Sequence, residues 1–157
     1  MKVGEKVPNF QFKATTGIQA NLADYLGKWV ILYFYPKDAT PGCSIEARDF
    51  RDANAKFTEQ NAVILGISRD SLKSHENFRC KQELPFELIS DEDETICQLF
   101  DVIKIKSMYG KKLRGIERST FLIDDQGYLQ QEWRRVSVIG HVDEVEETLK
   151  SLQKDKK

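Results

Sequence analysis

Cysteine is scarce in this chain, three among 157 residues, an odd count too small for a disulfide-stapled secreted scaffold. Charge of one sign is lacking too. Lys and Arg total 24 against 25 for Asp and Glu, a net charge of −1. That balance gives no general pull towards nucleic acid or an anionic membrane surface. No apolar run approaches the roughly 18 residues of a spanning helix. The start, Met1-Lys2-Val3-Gly4-Glu5-Lys6, puts no apolar stretch behind its charge, so no signal peptide is visible. The only two histidines, His75 and His141, are far apart, and with three separated cysteines they show no zinc spacing. Repeats, low-complexity segments and linkers are missing as well. These absences predict one soluble, cytoplasmic domain over residues 1–157, with no metal, cofactor, nucleic-acid or membrane partner. The length suffices for a hydrophobic core without cross-links.

Strands alternate with helices along the chain. Trp29-Val30-Ile31-Leu32-Tyr33-Phe34-Tyr35, ended by Pro36, is the most apolar run and predicts a central strand covered on both faces. Residues 44–60 have helical spacing, with Ile45, Phe50 and Phe57 among charged neighbours. Ala62 to Ser68 is a second buried strand, and Ser71 is placed to cap a helix reaching Gln82. Leu84-Pro85 breaks the chain before a short strand, Phe86 to Ile89. Asp91 and Glu94 have capping-box spacing, so the acidic run Asp91-Glu92-Asp93-Glu94 predicts a helix start with Ile96, Leu99 and Phe100 facing inward. Thr120 to Ile123 and Tyr128 to Val136 are strands joined by the turn Asp124-Asp125-Gln126-Gly127. Gly140 precedes an amphipathic helix with Val142, Val145, Leu149 and Leu152 on one stripe, and the tail Lys154-Asp155-Lys156-Lys157 is expected to be frayed. The pattern predicts an α/β layer fold with a mixed sheet.

The most informative stretch runs from Tyr35 through Pro36-Lys37-Asp38-Ala39-Thr40-Pro41-Gly42-Cys43 to Ala47. It leaves the central strand, turns, and sets Cys43 in the first turn of a helix. The carboxyl ends of strands are where α/β sheets build their sites. A helix start presents unpaired N–H groups and positive dipole, which favour thiolate over thiol. Thr40 can aim its hydroxyl at the same point, and Pro41 stiffens the loop without a competing N–H. On these grounds alone, Cys43 is either a nucleophile or a small helix-start residue beside the turn-forming Gly42.

Pro36 through Cys43 matches the Pro-x-x-x-Thr-x-x-Cys motif, so the chain resembles the peroxiredoxins. With Glu46, Ala47, Phe50, Arg51 and Asp52 it is similar to their bacterioferritin comigratory protein subfamily. Phe100-Asp101-Val102, Met108-Tyr109-Gly110, Gly115 to Ile123 and Gly140-His141 extend the match, in order, over nearly the whole chain. The resemblance implies a thioredoxin-like fold with an N-terminal β-hairpin extension, and a monomer rather than a ring. It implies a peroxidase for hydrogen peroxide and organic hydroperoxides, recycled by thioredoxin or a similar thiol reductant. Cys43 falls on the peroxidatic cysteine, Thr40 on the hydroxyl residue that aligns thiolate and peroxide, and Arg118 on the arginine that favours negative charge. Pro36, Pro41 and Gly42 shape the pocket, and Glu46 orients Arg118 or the loop, unless it is a plain surface acid.

The chain departs from this subfamily at its second thiol. Many relatives carry a resolving cysteine five residues after the first, where this chain has Arg48. Others carry it directly after the Phe of a segment like Asn77-Phe78-Arg79-Cys80-Lys81-Gln82, where this chain has Arg79. One residue turns a side chain by about 100° around a helix. Leu72 and Arg79 would then share a face from which Cys80 points away. Bridging needs Cα atoms within about 7 Å, so the helix start at Cys43 would have to unwind. The expected resolving residue is Cys80; an incidental thiol is the alternative, leaving a one-cysteine peroxidase or a redox sensor. Cys97, among Ile96, Leu99 and Phe100, is expected in the core. His141 is expected at a cap and His75 in solvent, with Trp133, Phe34 and Phe121 as packing residues. A cysteine hydrolase would need a histidine base, and neither histidine lies in a matching motif. A disulfide exchanger would need a Cys-x-x-Cys pair at the junction, which is missing.

Overall fold

The computed structural model describes residues 1–155. Its seven-stranded sheet is built outward from the apolar run. That run forms β3 (Trp29–Phe34), every residue of which is buried. β4 (Ala62–Ser68) pairs parallel to it, and β5 (Glu87–Ser90) pairs parallel to β4. On the other side β8 (Ser119–Ile123) runs antiparallel to β3, and β9 (Leu129–Trp133) antiparallel to β8. The N-terminal hairpin, β1 (Gln11–Ala14) and β2 (Gln19–Asn21), completes the opposite edge through β1 and β5. The order is β2-β1-β5-β4-β3-β8-β9, a mixed sheet as expected.

Successive side chains along a strand point to opposite faces. Val30, Leu32 and Phe34 therefore enter one core, with Phe10, Phe12, Phe100 and Phe121. Trp29, Ile31, Tyr33 and Tyr35 enter the other, beneath α1 (Pro41–Glu59), α2 (Leu72–Gln82) and α4 (His141–Asp155). Phe34 and Phe121 are thus core residues, and Trp133 packs half-buried against the second core. The stripe of α4 is as expected, with Val142, Val145 and Leu149 buried.

Several local expectations need correction. The buried face of α1 consists of Cys43, Ala47, Phe50 and Phe57 with the polar Ser44 and Glu46, while Ile45 is 44% exposed. The helix thus turns its inward stripe through Cys43. α3 is short, Thr95–Leu99, and begins after Glu94 rather than after Asp91. The capping box does not form because the Asp91 N–H is already bonded to the Ser68 carbonyl at 2.9 Å. Asp91 instead accepts from the N–H groups of Ile96 and Cys97 at 3.1 and 2.7 Å. Glu94, at φ 64°, turns to Arg69 and Arg114. Lys154 and Asp155, expected to fray, belong to α4, and Lys156 and Lys157 lie outside the described residues. Among the described residues no helix is long and apolar enough to cross a membrane.

One hairpin went unread: β6 (Ile103–Met108) with β7 (Lys111–Ile116). Ile103-Lys104-Ile105-Lys106 does alternate, but only over four residues; β7 (Lys111 to Ile116) does not, and Ile105 and Leu113 are exposed, so the pattern points to no buried face.

Candidate active site

The site lies where β3 gives way to α1. Tyr35 ends the apolar run, Pro36 to Ala39 turn the chain, and Thr40 occupies the N-cap position with extended backbone. Pro41 stands at the first helical position, where its fixed φ suits the helix and its missing N–H costs no bond. The first intrahelical bond is Ser44 N–H to the Thr40 carbonyl at 2.9 Å. Gly42 and Cys43 precede it, so their N–H groups have no carbonyl four residues back within the helix.

Cys43 is buried, 1% exposed, and Arg118 brings its charge directly to it. Arg118 Nη2 donates to Cys43 Sγ at 3.2 Å, while Nη1 donates to Glu46 Oε1 at 2.7 Å. A planar guanidinium can serve both partners at once, which a lysine ammonium cannot do in the same geometry. Arg118 sits in the short link between β7 and β8, where its carbonyl accepts from Val136 N–H at 3.0 Å. Gly42 leaves room for this approach: a Cβ there would lie 3.2 Å from Arg118 Nη2.

Glu46 lies wholly in the core, so the alternative of a surface acid is dismissed. Burial pushes its carboxyl up to about 7, against the pull of Arg118. Burial opposes charge on Arg118 as well, but Glu46 and Cys43 more than offset it and hold its pKa above the ordinary value. The Thr40 hydroxyl donates to the Lys37 carbonyl at 2.9 Å. With its proton spent there, the oxygen faces any ligand as an acceptor only. Pro36 and Arg118 line an open cleft of about 910 Å³, together with Lys104, Lys106, Arg134 and Arg135.

The structure therefore brings Cys43, Arg118, Glu46 and Gly42 together and seats Thr40 and Pro41 at the same helix start. Cys80 stands apart. It is an exposed free thiol on the outer face of α2, while Leu72 and Arg79 are half-buried as the helical spacing predicted. Cys97 is fully buried, and burial, then Asp91, pushes its thiol well above the usual range. His141 opens α4, and its Nε2 is 2.8 Å from Thr120 Oγ1. Burial lowers its pKa to about 4, so it is neutral at pH 7.

His75 is the largest correction. Expected in solvent, it is 0% exposed, with Nδ1 2.7 Å from Asp38 Oδ2. Its spacing of three from both Leu72 and Phe78 was the available sign, since that stripe faces the core. Asp38, Asp70 and His75 could group around a cation, their donor atoms lying within 4.8 Å of one another. Each is already engaged: His75 Nε2 by the Ile89 carbonyl at 2.9 Å, Asp70 Oδ2 by Asp38 N–H and Ser68 Oγ. The chemistry of the trio is that of an internal hydrogen-bond network.

Residues 3–132 match the AhpC/TSA family. Peroxiredoxin Bcp of Bacillus subtilis is 49% identical over 152 residues, covering 97% of each chain. The bacterioferritin comigratory protein of Xanthomonas campestris, studied for its alkyl peroxide reduction, superposes with a TM-score of 0.87 at 49% identity over 90% of each chain. A mutant of Xylella fastidiosa PrxQ gives a TM-score of 0.93 at 43% identity over 98% of each chain. The chain belongs to the AhpC/TSA family, among the Bcp and PrxQ peroxiredoxins. It is a peroxidase of thioredoxin-like fold, an oxidoreductase whose family implies a peroxide substrate and a thiol reductant.

Proposed function

We propose that Cys43 is the peroxidatic nucleophile, reducing hydrogen peroxide and organic hydroperoxides, that Cys80 resolves it, and that thioredoxin or a similar dithiol recycles the pair. The observation that carries this is the Arg118 fork, with one nitrogen 3.2 Å from Cys43 Sγ and the other on buried Glu46. The Cys43 thiolate attacks one peroxide oxygen and the oxygen–oxygen bond breaks. Sulfur is oxidised to the sulfenic acid, and the other oxygen leaves as hydroxide or alkoxide and takes a proton. Arg118 stabilises charge on both the thiolate and the leaving oxygen, and the free N–H of Cys43 holds a peroxide oxygen. Thr40 accepts the peroxide's O–H, and this alignment of the reacting atoms supplies rate that thiolate character alone does not. Pro36, Pro41 and Gly42 keep water and bulk away from that line. Soluble, monomeric action in the cytoplasm completes the proposal.

Cys43→Ser should abolish peroxide consumption, and one equivalent of peroxide should give a Cys43–Cys80 disulfide in peptide maps. A lasting Cys43 sulfenic acid beside free Cys80 would point to a one-cysteine cycle with an external thiol. Undiminished peroxide consumption by Cys43→Ser would overturn the assignment altogether.

A further inference from the structure

The helix carrying Cys80 is tied to the sheet side by Glu76, which accepts from Thr16 N–H at 2.6 Å, and by Arg79, which donates to the Phe86 carbonyl at 3.1 Å. To α1 and the loop ahead of it, it is tied by two sets of polar contacts, one on each side of Cys80 in sequence. The second set lies at its end, where Arg51 of α1 donates to the Gln82 carbonyl at 2.9 Å and Arg48 to the Gln82 side chain at 3.3 Å. The first is buried and denser. Asp38, in the loop ahead of α1, accepts from Tyr35 Oη at 2.6 Å on Oδ1. On Oδ2 it accepts from Ser74 Oγ and His75 Nδ1, both at 2.7 Å and both from α2. The other ring nitrogen of His75 lies 2.9 Å from the Ile89 carbonyl. Both nitrogens face acceptors, which the ring satisfies only with an N–H on each.

Packing alone does not account for this arrangement, since a buried ion pair is seldom more stabilising than apolar residues of the same volume. What it does is join two particular segments. Asp38 stands five residues before Cys43, and His75 five before Cys80. The loop side is also under tension: Ala39 sits at φ 64°, a left-handed conformation that a residue with a Cβ holds at a cost. The Asp38 N–H, donated to Asp70 at 2.9 Å, and its carboxylate, held by α2, keep the loop in that shape.

We propose that the Asp38–His75 pair is a latch that governs when Cys80 can reach Cys43. Shut, it holds the loop around Cys43 in the shape that meets peroxide and keeps Cys80 on the outer face of α2. Open, it frees both cysteine-bearing segments together. This rests on the reading of Cys80 as the resolving thiol. In that step the Cys80 thiolate attacks the sulfur of the Cys43 sulfenic acid. The new sulfur–sulfur bond replaces the sulfur–oxygen bond, and the departing hydroxide takes a proton to become water. While the latch stays shut, the sulfenic acid is open to a second peroxide, which oxidises it to the sulfinic acid and is itself reduced to water or an alcohol. The latch thus sets the partition of Cys43 between disulfide and sulfinic acid, and His75 is a positioning residue.

The test reacts the reduced wild-type protein, His75→Gln and Ser74→Ala with graded hydrogen peroxide, quenches with an alkylating reagent and maps all three cysteines by mass. In His75→Gln, disulfide formation should be on the order of tenfold faster, the worth of one charge-assisted hydrogen bond. The peroxide concentration that gives half sulfinic acid should rise by a similar factor. Ser74→Ala, which removes one donor and strands no charge, should move both in the same direction by less. Single-turnover consumption of the first peroxide equivalent should stay within about twofold in both. A purely structural role for the pair would lower the melting temperature and leave the partition unmoved. An unmoved or slower disulfide step in both variants, with a normal wild-type disulfide, overturns the latch alone. Absence of the Cys43–Cys80 disulfide in the wild type overturns the resolving role of Cys80 and the latch with it.

Discussion

Burial works against the charge of Glu46, and Arg118 meets only one of its oxygens. Oε1 accepts from Arg118, while Oε2 is buried with no partner among the described residues. Its carboxyl is pushed up to about 7 from an ordinary 4.5. Between those values the folded protein binds the proton that the unfolded chain releases, so this group's contribution to stability is full below about 4.5 and is lost as pH rises through 7. The swing is on the order of 3 kcal/mol. His141 has the opposite slope. Burial holds it at about 4 against an ordinary 6.5, so its contribution is full above 6.5 and is lost as pH falls through 4. The two slopes oppose each other between about 4.5 and 6.5. Denaturant unfolding of Glu46→Gln across pH 4–8 should therefore show its stability, relative to wild type, rising with pH. His141→Gln should show it falling. Parallel curves for wild type and Glu46→Gln would mean that Glu46 ionises as freely as an exposed acid.

At the scale of elements, helix–sheet contact depends on a few atoms. Gly66 in β4 lies under Tyr33, and a Cβ there would come 2.8 Å from Leu88 Cδ2 and 2.9 Å from Tyr33 Cζ. The Tyr33 ring in turn stacks on Phe50 of α1 at 4.6 Å, so it has nowhere to retreat. Gly66→Ala should cost about 1–3 kcal/mol, as overpacking a core does, and lower the melting temperature accordingly. An unchanged melting temperature would show that Tyr33 moves freely. The same close fit explains which elements the sequence betrayed. β3, β4 and β8 are covered on both faces, and apart from Ser68, Ser119 and Thr120 at their ends they carry only aliphatic or aromatic side chains. α4 shows its stripe because only one face is covered. The hairpin β6–β7 is largely exposed, and packing constrains only its base, Ile103 and Ile116, too little to mark two strands in the sequence. At the site, the motif points to Cys43, Thr40 and Arg118, and to Glu46 as the residue orienting Arg118 or the loop. What it leaves open is whether Glu46 is buried or a plain surface acid, since one glutamate among charged helix neighbours does not show which face it takes. His75 failed for a related reason: a single histidine among Lys73, Ser74, Glu76 and Asn77 reads as polar surface unless the helical stripe is followed through it.

Across the whole molecule, the two cores divide the consequences of oxidation unequally. The core containing Phe10, Phe12, Phe100 and Phe121 lies on the face of the sheet away from α1 and α2, and needs neither helix. The other core meets α2 through Phe78, which faces Tyr35 at a ring distance of 6.2 Å, while α1 supplies Phe50 and Phe57. A disulfide between Cys43, buried at the first turn of α1, and Cys80, exposed on α2, must unwind that turn, release α2, or do both. Neither change breaks a ladder of the central strands, whose partners are other strands. Local opening of this kind costs less than global unfolding, because it exposes few apolar contacts. Amide hydrogen exchange should therefore rise on oxidation in residues 72–82 and in the first turn of α1. β3, β4 and β8 should keep the protection of the reduced protein. Exchange that rises throughout the sheet would mean that oxidation loosens the fold as a whole. Exchange that rises nowhere would mean that Cys80 reaches Cys43 without any such opening, and a rigid path between an outward-facing thiol and a buried one would then have to exist.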